Sequence, residues 1–95
     1  MKIYEVDGWY KGNKIDWVEI DSIYNKGKEG VKISLWKRKE NYDSIPPGEP
    51  HYDLVEEIVI VDKKGYISLL FDRKSGTTAR KYLKLLGLKV TKVIV

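Results

Sequence analysis

The chain of 95 residues has no cysteine and no glutamine, a single histidine and a single phenylalanine, and its one methionine is the first residue. Without thiols there is no disulfide and no thiol redox chemistry, and a zinc site of about four Cys, His or carboxylate ligands lacks its usual donors. Long apolar runs are missing as well. The best of them, Ile58 to Val61, falls far short of the roughly 20 residues that span a bilayer. The first residues, Met1-Lys2-Ile3-Tyr4-Glu5, carry no apolar stretch of the kind a secretory signal needs. The expectation is a cytoplasmic protein without a membrane partner. There is no P-loop, no dinucleotide-binding glycine pattern and no nucleophile elbow, and Lys74-Ser75-Gly76-Thr77 lacks the preceding glycine of a phosphate-binding loop. No cofactor is expected.

What the chain does have is charge, divided along its length. Met1 to Asp62 carries 9 Lys/Arg against 13 Asp/Glu, whereas Lys63 to Val95 carries 9 against Asp72 alone, a formal balance of −4 against +8. Two readings follow from this division. The basic third is a surface for a polyanion, or the two parts neutralise each other within one subunit or between copies in a homo-oligomer. Of the 18 cations 15 are Lys, which together with the scarcity of Gln, Cys and Asn fits a thermophile-like composition and assigns part of the excess to general surface chemistry.

The length suits one domain over residues 1–95, large enough to bury about 60–65% of its unfolded surface without a staple. Gly12-Asn13 suits a two-residue hairpin turn between Tyr4–Lys11 and Lys14–Ile20, which sets Trp17 opposite Gly8. Asp16 to Tyr24 has both helical and strand spacing, and its Val, Ile and Tyr content favours strand. Lys26 to Gly30 reads as a turn. Val31, Ile33 and Leu35 alternate with Lys32, Ser34 and Trp36 in a half-buried strand. Residues 40–53 hold all three prolines and form a long loop.

The β-branched run Ile58 to Val61 asks for burial on both faces and a central place in the sheet. Asp62 to Gly65 suits a type I turn returning into a strand over Tyr66 to Phe71. Ala79, Tyr82, Leu83 and Leu86 then form a helical stripe, capped by the oxygens of Ser75 to Thr78 and ended by Gly87. Leu88 to Val95 is a last strand, reached through a crossover that makes it parallel to Tyr66–Phe71. The expected fold is α+β: a mostly antiparallel (mixed) five- or six-stranded sheet with one C-terminal amphipathic helix packed on one face. The other face is covered by the proline-containing loop, stays polar, or meets a partner.

Four groups of residues are candidates for chemistry. Arg80, Lys81 and Lys84 share one arc of the helix opposite its apolar stripe, with Arg73 and Lys74 just ahead, and the amides around Gly76, Thr77 and Thr78 suit a phosphate oxygen. Such a surface holds RNA or DNA through its backbone, with low sequence specificity and strong salt dependence. A solvated helix face explains the same cations. Three Trp and seven Tyr against one Phe are the second group, with Trp36 beside Lys37, Arg38 and Lys39 as a stacking residue. The same rings also suit the rim of a core.

Glu19 and Asp21, with Asp16 nearby and Glu56-Glu57 further on, are the third group. Paired carboxylates serve Mg²⁺ or acid–base chemistry in nucleases and glycosidases, but strand-edge charges against aggregation are the favoured explanation for them. His51 is the last, with Tyr42, Tyr52 and Asp53 in the same loop as partners for proton transfer. The sequence thus favours a non-enzymatic nucleic-acid-binding module, with Arg73, Lys74, Arg80, Lys81, Lys84 and Trp36 as its contact residues. A self-associating interaction domain ranks second, and a small metal-dependent nuclease third.

Overall fold

Lys11 and Gly12 both take positive φ, 48° and 79°, and so form the first reversal of the chain in the computed structural model, which describes residues 1–61, 69–70 and 76–95. Strand β1 (Lys2–Tyr10) turns there into the short β2 (Asn13–Lys14), with Tyr10 opposite Asn13 and Trp9 opposite Lys14. The turn is one residue earlier than Gly12-Asn13. Because the side-chain period of a strand is two, that slip changes every partner that follows. Trp17 faces Glu5, not Gly8. A second irregularity adds to the shift. Val6 N–H donates to Asp16 O at 3.2 Å and Ile15 N–H to Gly8 O at 3.0 Å, so Asp7 is an extra residue on β1.

Strands β3 (Trp17–Asn25), β4 (Lys28–Arg38) and β5 (Tyr52–Val61) follow, β3 antiparallel to β1, β4 to β3 and β5 to β4. The ambiguous segment from Asp16 is therefore strand, and Lys26-Gly27 is the two-residue turn after it, with φ of 50° and 75°. The sheet runs β2-β1-β3-β4-β5, and β6 (Leu88–Val93) lies antiparallel on the remaining edge of β1. No pair among the described residues is parallel, and the expected crossover from Tyr66–Phe71 falls mostly on residues outside them. Beside β1, Leu88 and Val90 stand opposite Gly8 and Val6 and extend one buried face. Of the expected strand Tyr66–Phe71, Leu69 and Leu70 are described and adopt a 3-10 conformation; its other residues and the turn Asp62–Gly65 lie outside the described residues. The expected pairing of the last residues holds, since Ile94 N–H donates to Ile3 O at 2.9 Å and Ile3 N–H to Val95 O at 3.4 Å.

The sheet curls, bringing its ends together. Tyr10 on β1 donates its hydroxyl to Glu56 on β5, across the two strands that separate them in the sheet, and Lys11 Nζ lies 2.9 Å from the other oxygen of that carboxylate. A bulge at Val55, between the pairs Leu35–Glu56 and Trp36–Leu54, adds curvature to β5. Inside the curl are Tyr4, Val6, Ile15, Val18, Ile20, Val31, Ile33, Leu35, Leu88 and Val90, all buried. Each fully buried Ile or Leu contributes about 1.5–3 kcal/mol. Ile58 and Ile60 pack against this core, but Val59 and Val61 point outward and are 51% and 41% exposed, so the β-branched run is not buried on both faces. Among the described residues β5 pairs with β4 alone and is an end strand, not a central one.

Helix α1 (Thr77–Leu85) closes the core with Ala79 and Leu83 and packs beside β6. Gly87, at φ 86°, ends it, while Leu86 N–H and Gly87 N–H donate to Leu83 O and Lys84 O. The cap at its start is Gly76 in the left-handed conformation, without a side-chain cap, instead of a Ser or Thr oxygen. None of the described helices is long and apolar enough to cross a membrane.

Candidate functional site: a basic groove and an aromatic cavity

The cations of α1 face a groove along its junction with β6. Arg80 and Lys84 project from successive helical turns, and Lys89 leaves β6 two residues past the glycine that ends the helix. Together with Gly87, Leu88 and Val90 they line an open depression of about 470 Å³, and among the described residues no carboxylate lines it. Arg80 is anchored by a hydrogen bond from Nη1 to Val90 O at 3.1 Å, which fixes its guanidinium at the groove wall. Lys81 lies exposed on the same helix, outside the lining. Arg73 and Lys74 lie outside the described residues.

Ion pairs among the described residues belong to the acidic part of the chain itself. Lys11 pairs with Glu56, Lys14 with Asp7 and Asp16, and Lys39 with Asp53, all at 2.8–3.6 Å. Asp7 lies across the strand pair from Lys89. Its carboxyl is held below the usual value chiefly by its hydrogen bond to Lys14, and Lys89 contributes less.

Trp36 is not part of this groove. It alternates with Leu35, which is buried in the same core as Ala79 and Leu83, so its ring lies on the outer face of β4, away from the helix. The basic run that follows it is engaged elsewhere. Lys37 Nζ donates to Asn13 Oδ1, the guanidinium of Arg38 stacks 4.6 Å from the Tyr42 ring centre, and Lys39 pairs with Asp53.

On that outer face Trp36 stands beside Trp17, its register partner, and the proline-containing loop folds over both. The loop is closed by Lys39 N–H donating to His51 O at 3.0 Å, with a 3-10 turn over Tyr42–Ser44. The closure lays Pro50, His51 and Tyr52 against the tryptophans and leaves an open depression of about 340 Å³ lined by Trp17, Glu19, Trp36, Pro50, His51 and Tyr52. Trp17 and Tyr52 have ring centres 5.8 Å apart, and Tyr42 meets His51 and Tyr52 edge-on at 5.3 and 5.9 Å. Trp17 Nε1 donates to Glu19 Oε1 at 3.2 Å, whereas the indole N–H of Trp36 is buried without an acceptor among the described residues. Burial pushes the Tyr52 hydroxyl above its ordinary value, with its hydrogen bond to Tyr42 acting in the same direction.

The candidate acid–base residues are dispersed. Glu19 serves Trp17, Asp21 faces Lys32 across the strands, and Glu56 holds the clasp to Tyr10 and Lys11. Asp16 accepts from Arg38 N–H at 2.9 Å. His51 is half-buried against Tyr42, and Asp53 pairs with Lys39. Among the described residues there is no group of three or more His, Asp or Glu side chains placed to hold a metal ion.

The aromatic cavity went unread in the sequence, yet half of it was accessible there. A two-residue turn at Lys26-Gly27 forces Asn25 opposite Lys28, and counting back along both strands sets Trp17 opposite Trp36. The lid carries no such signal, because the path of a loop follows from tertiary contacts. No known protein family, curated protein or solved structure matches the chain.

Proposed function

We propose that the protein is a non-enzymatic binding module whose α1–β6 groove takes the phosphate backbone of RNA or DNA. The observation that carries this reading is the convergence of Arg80, Lys84 and Lys89 on one open groove, the described residues of whose wall include no carboxylate. Lys81 and, by sequence, Arg73 and Lys74 extend the same cationic region. Lysine predominates, so the contact is with phosphate and carries little base information. Three phosphate contacts on a duplex give a salt slope of about −2.7, so binding falls roughly 40-fold between 50 and 200 mM salt.

The test is binding of a fluorescent random-sequence strand and duplex at those two salt concentrations, with the native chain and with Lys84→Glu/Lys89→Glu. Weak binding and a flattened salt slope in the double variant support the reading; unchanged affinity and slope refute it. Self-association of complementary charged halves predicts instead a salt-sensitive dimer with no affinity for nucleic acid. The nuclease reading has less support, since Glu19 and His51 share one lining without Asp21, and no group of three His, Asp or Glu side chains among the described residues is placed to hold a metal ion.

A further inference from the structure

We infer that the cavity between the Trp17–Trp36 pair and the Pro50–Tyr52 segment is a binding site for a methylated ammonium group. The inference is independent of the basic groove, which lies on the opposite face of the sheet. Its volume of about 340 Å³ lies within the range of small-ligand cavities. Its lining brings together two indoles, a phenol, one imidazole and one proline ring, and among the described residues its one carboxylate is Glu19. Aromatic faces attract cations, tryptophan most strongly, and walls of this composition are the recognised means of holding quaternary ammonium.

The surrounding charge points the same way. Glu19 stands opposite Ser34, and Ser34 opposite Glu57, so a second carboxylate lies one strand further along the same row. Asp21 follows Glu19 on the same face of β3, opposite Lys32. Arg38 stacks on Tyr42 and also hydrogen-bonds the Tyr52 hydroxyl, so this cation beside the site touches its wall without lining it. A phosphate or a nucleotide stacked on Trp36 would face Glu19 directly, which disfavours it here against a cation.

Methylation is favoured over a free amine by the same inventory. A primary ammonium brings three N–H donors, and the lining offers it one carboxylate that already accepts from Trp17 Nε1. A trimethylammonium has no N–H to satisfy and presents methyl groups to the rings. The orphaned Trp36 N–H acquires a reason here. A phenylalanine would avoid an unsatisfied buried donor but would present a weaker π face to the cation.

The experiment follows the indole N–H resonances and tryptophan fluorescence of the full chain during titration with choline. A parallel titration uses 3,3-dimethyl-1-butanol, its uncharged counterpart of the same shape. Saturable binding of choline with a Kd on the order of millimolar, and roughly tenfold weaker binding of the alcohol, is the expected result. Equal binding of the two, or no saturable change up to about 50 mM choline, overturns the proposal. Glu19→Gln and Trp17→Phe, each checked for native circular dichroism, should weaken choline several-fold; unchanged affinity in both folded variants also overturns it. A lysine peptide with and without Nε-trimethylation separates the sources of the group. Tighter binding of the methylated peptide than of choline assigns it to a protein side chain, and equal binding assigns it to a free small molecule.

Discussion

Gly8 lies where β1 and β6 touch through their backbones, and a single methyl group added there should drive the two strands apart. Its φ is 153°, and a Cβ at this position would stand 2.2 Å from the carbonyl oxygen of Gly87 and 3.1 Å from both Cα and Cδ2 of Leu88. The nearest of these is main-chain, so no rotamer change relieves the contact. Overpacking of a rigid site costs about 1–3 kcal/mol, and a sparsely populated backbone conformation about 1–3 more. Gly8→Ala should therefore lose about 2–6 kcal/mol, which at about 6 °C per kcal/mol lowers the melting temperature of a domain this size by roughly 10–35 °C.

Gly12→Ala is the control. Its φ of 79° imposes the conformational cost, but nothing stands within 4 Å of its Cβ. That variant should lose about 1–2 kcal/mol. Urea denaturation of both, followed by tryptophan fluorescence and read at an unchanged m-value, isolates the backbone clash as their difference. Equal midpoints for the two variants would refute the close approach of β1 and β6.

The Tyr10–Glu56–Lys11 clasp gives a pH signature. The hydrogen bonds from Tyr10 and Lys11 hold the Glu56 carboxyl below its ordinary value of 4.5, so the stability it contributes is present above that value and is lost as pH falls through the lower folded one. Native stability should consequently fall more steeply below pH 4.5 than that of Glu56→Gln, and parallel acid curves from denaturant titrations would exclude the clasp. Deleting Leu88 to Val95 removes two core side chains and the whole β1–β6 ladder, and should abolish cooperative unfolding; a truncated chain with a sharp native-like melt would contradict the topology.

Local chemistry explains which parts of this fold were legible. The helix was readable from the stripe of Ala79, Tyr82, Leu83 and Leu86 and from Gly87, because both signals act within a few residues. The strands at Val31–Lys37 and Leu88–Val95 were readable from alternation. The hairpin register was not, since Lys11-Gly12 and Gly12-Asn13 both tolerate positive φ, and the choice is fixed by the bulge at Asp7 and by the burial of Ile15. The position of Ile58 to Val61 was misjudged because β-branched residues report a preference for strand, not a place within the sheet. As for sites, the helical cations were visible by spacing. Lys89 joined them only when β6 docked beside β1, and Trp36 left them because the pleat sends it to the opposite face.

The central claim is that polyanions contact the α1–β6 groove. Amide chemical-shift mapping of the labelled chain with an unlabelled single-stranded oligonucleotide at low salt tests it most directly. The account predicts that perturbations centre on Arg80, Lys84, Gly87 and Lys89 and fade as salt rises, leaving the outer faces of β3 and β4 unchanged. Perturbations centred on Trp17, Trp36 and Tyr52, or none at all, would contradict it.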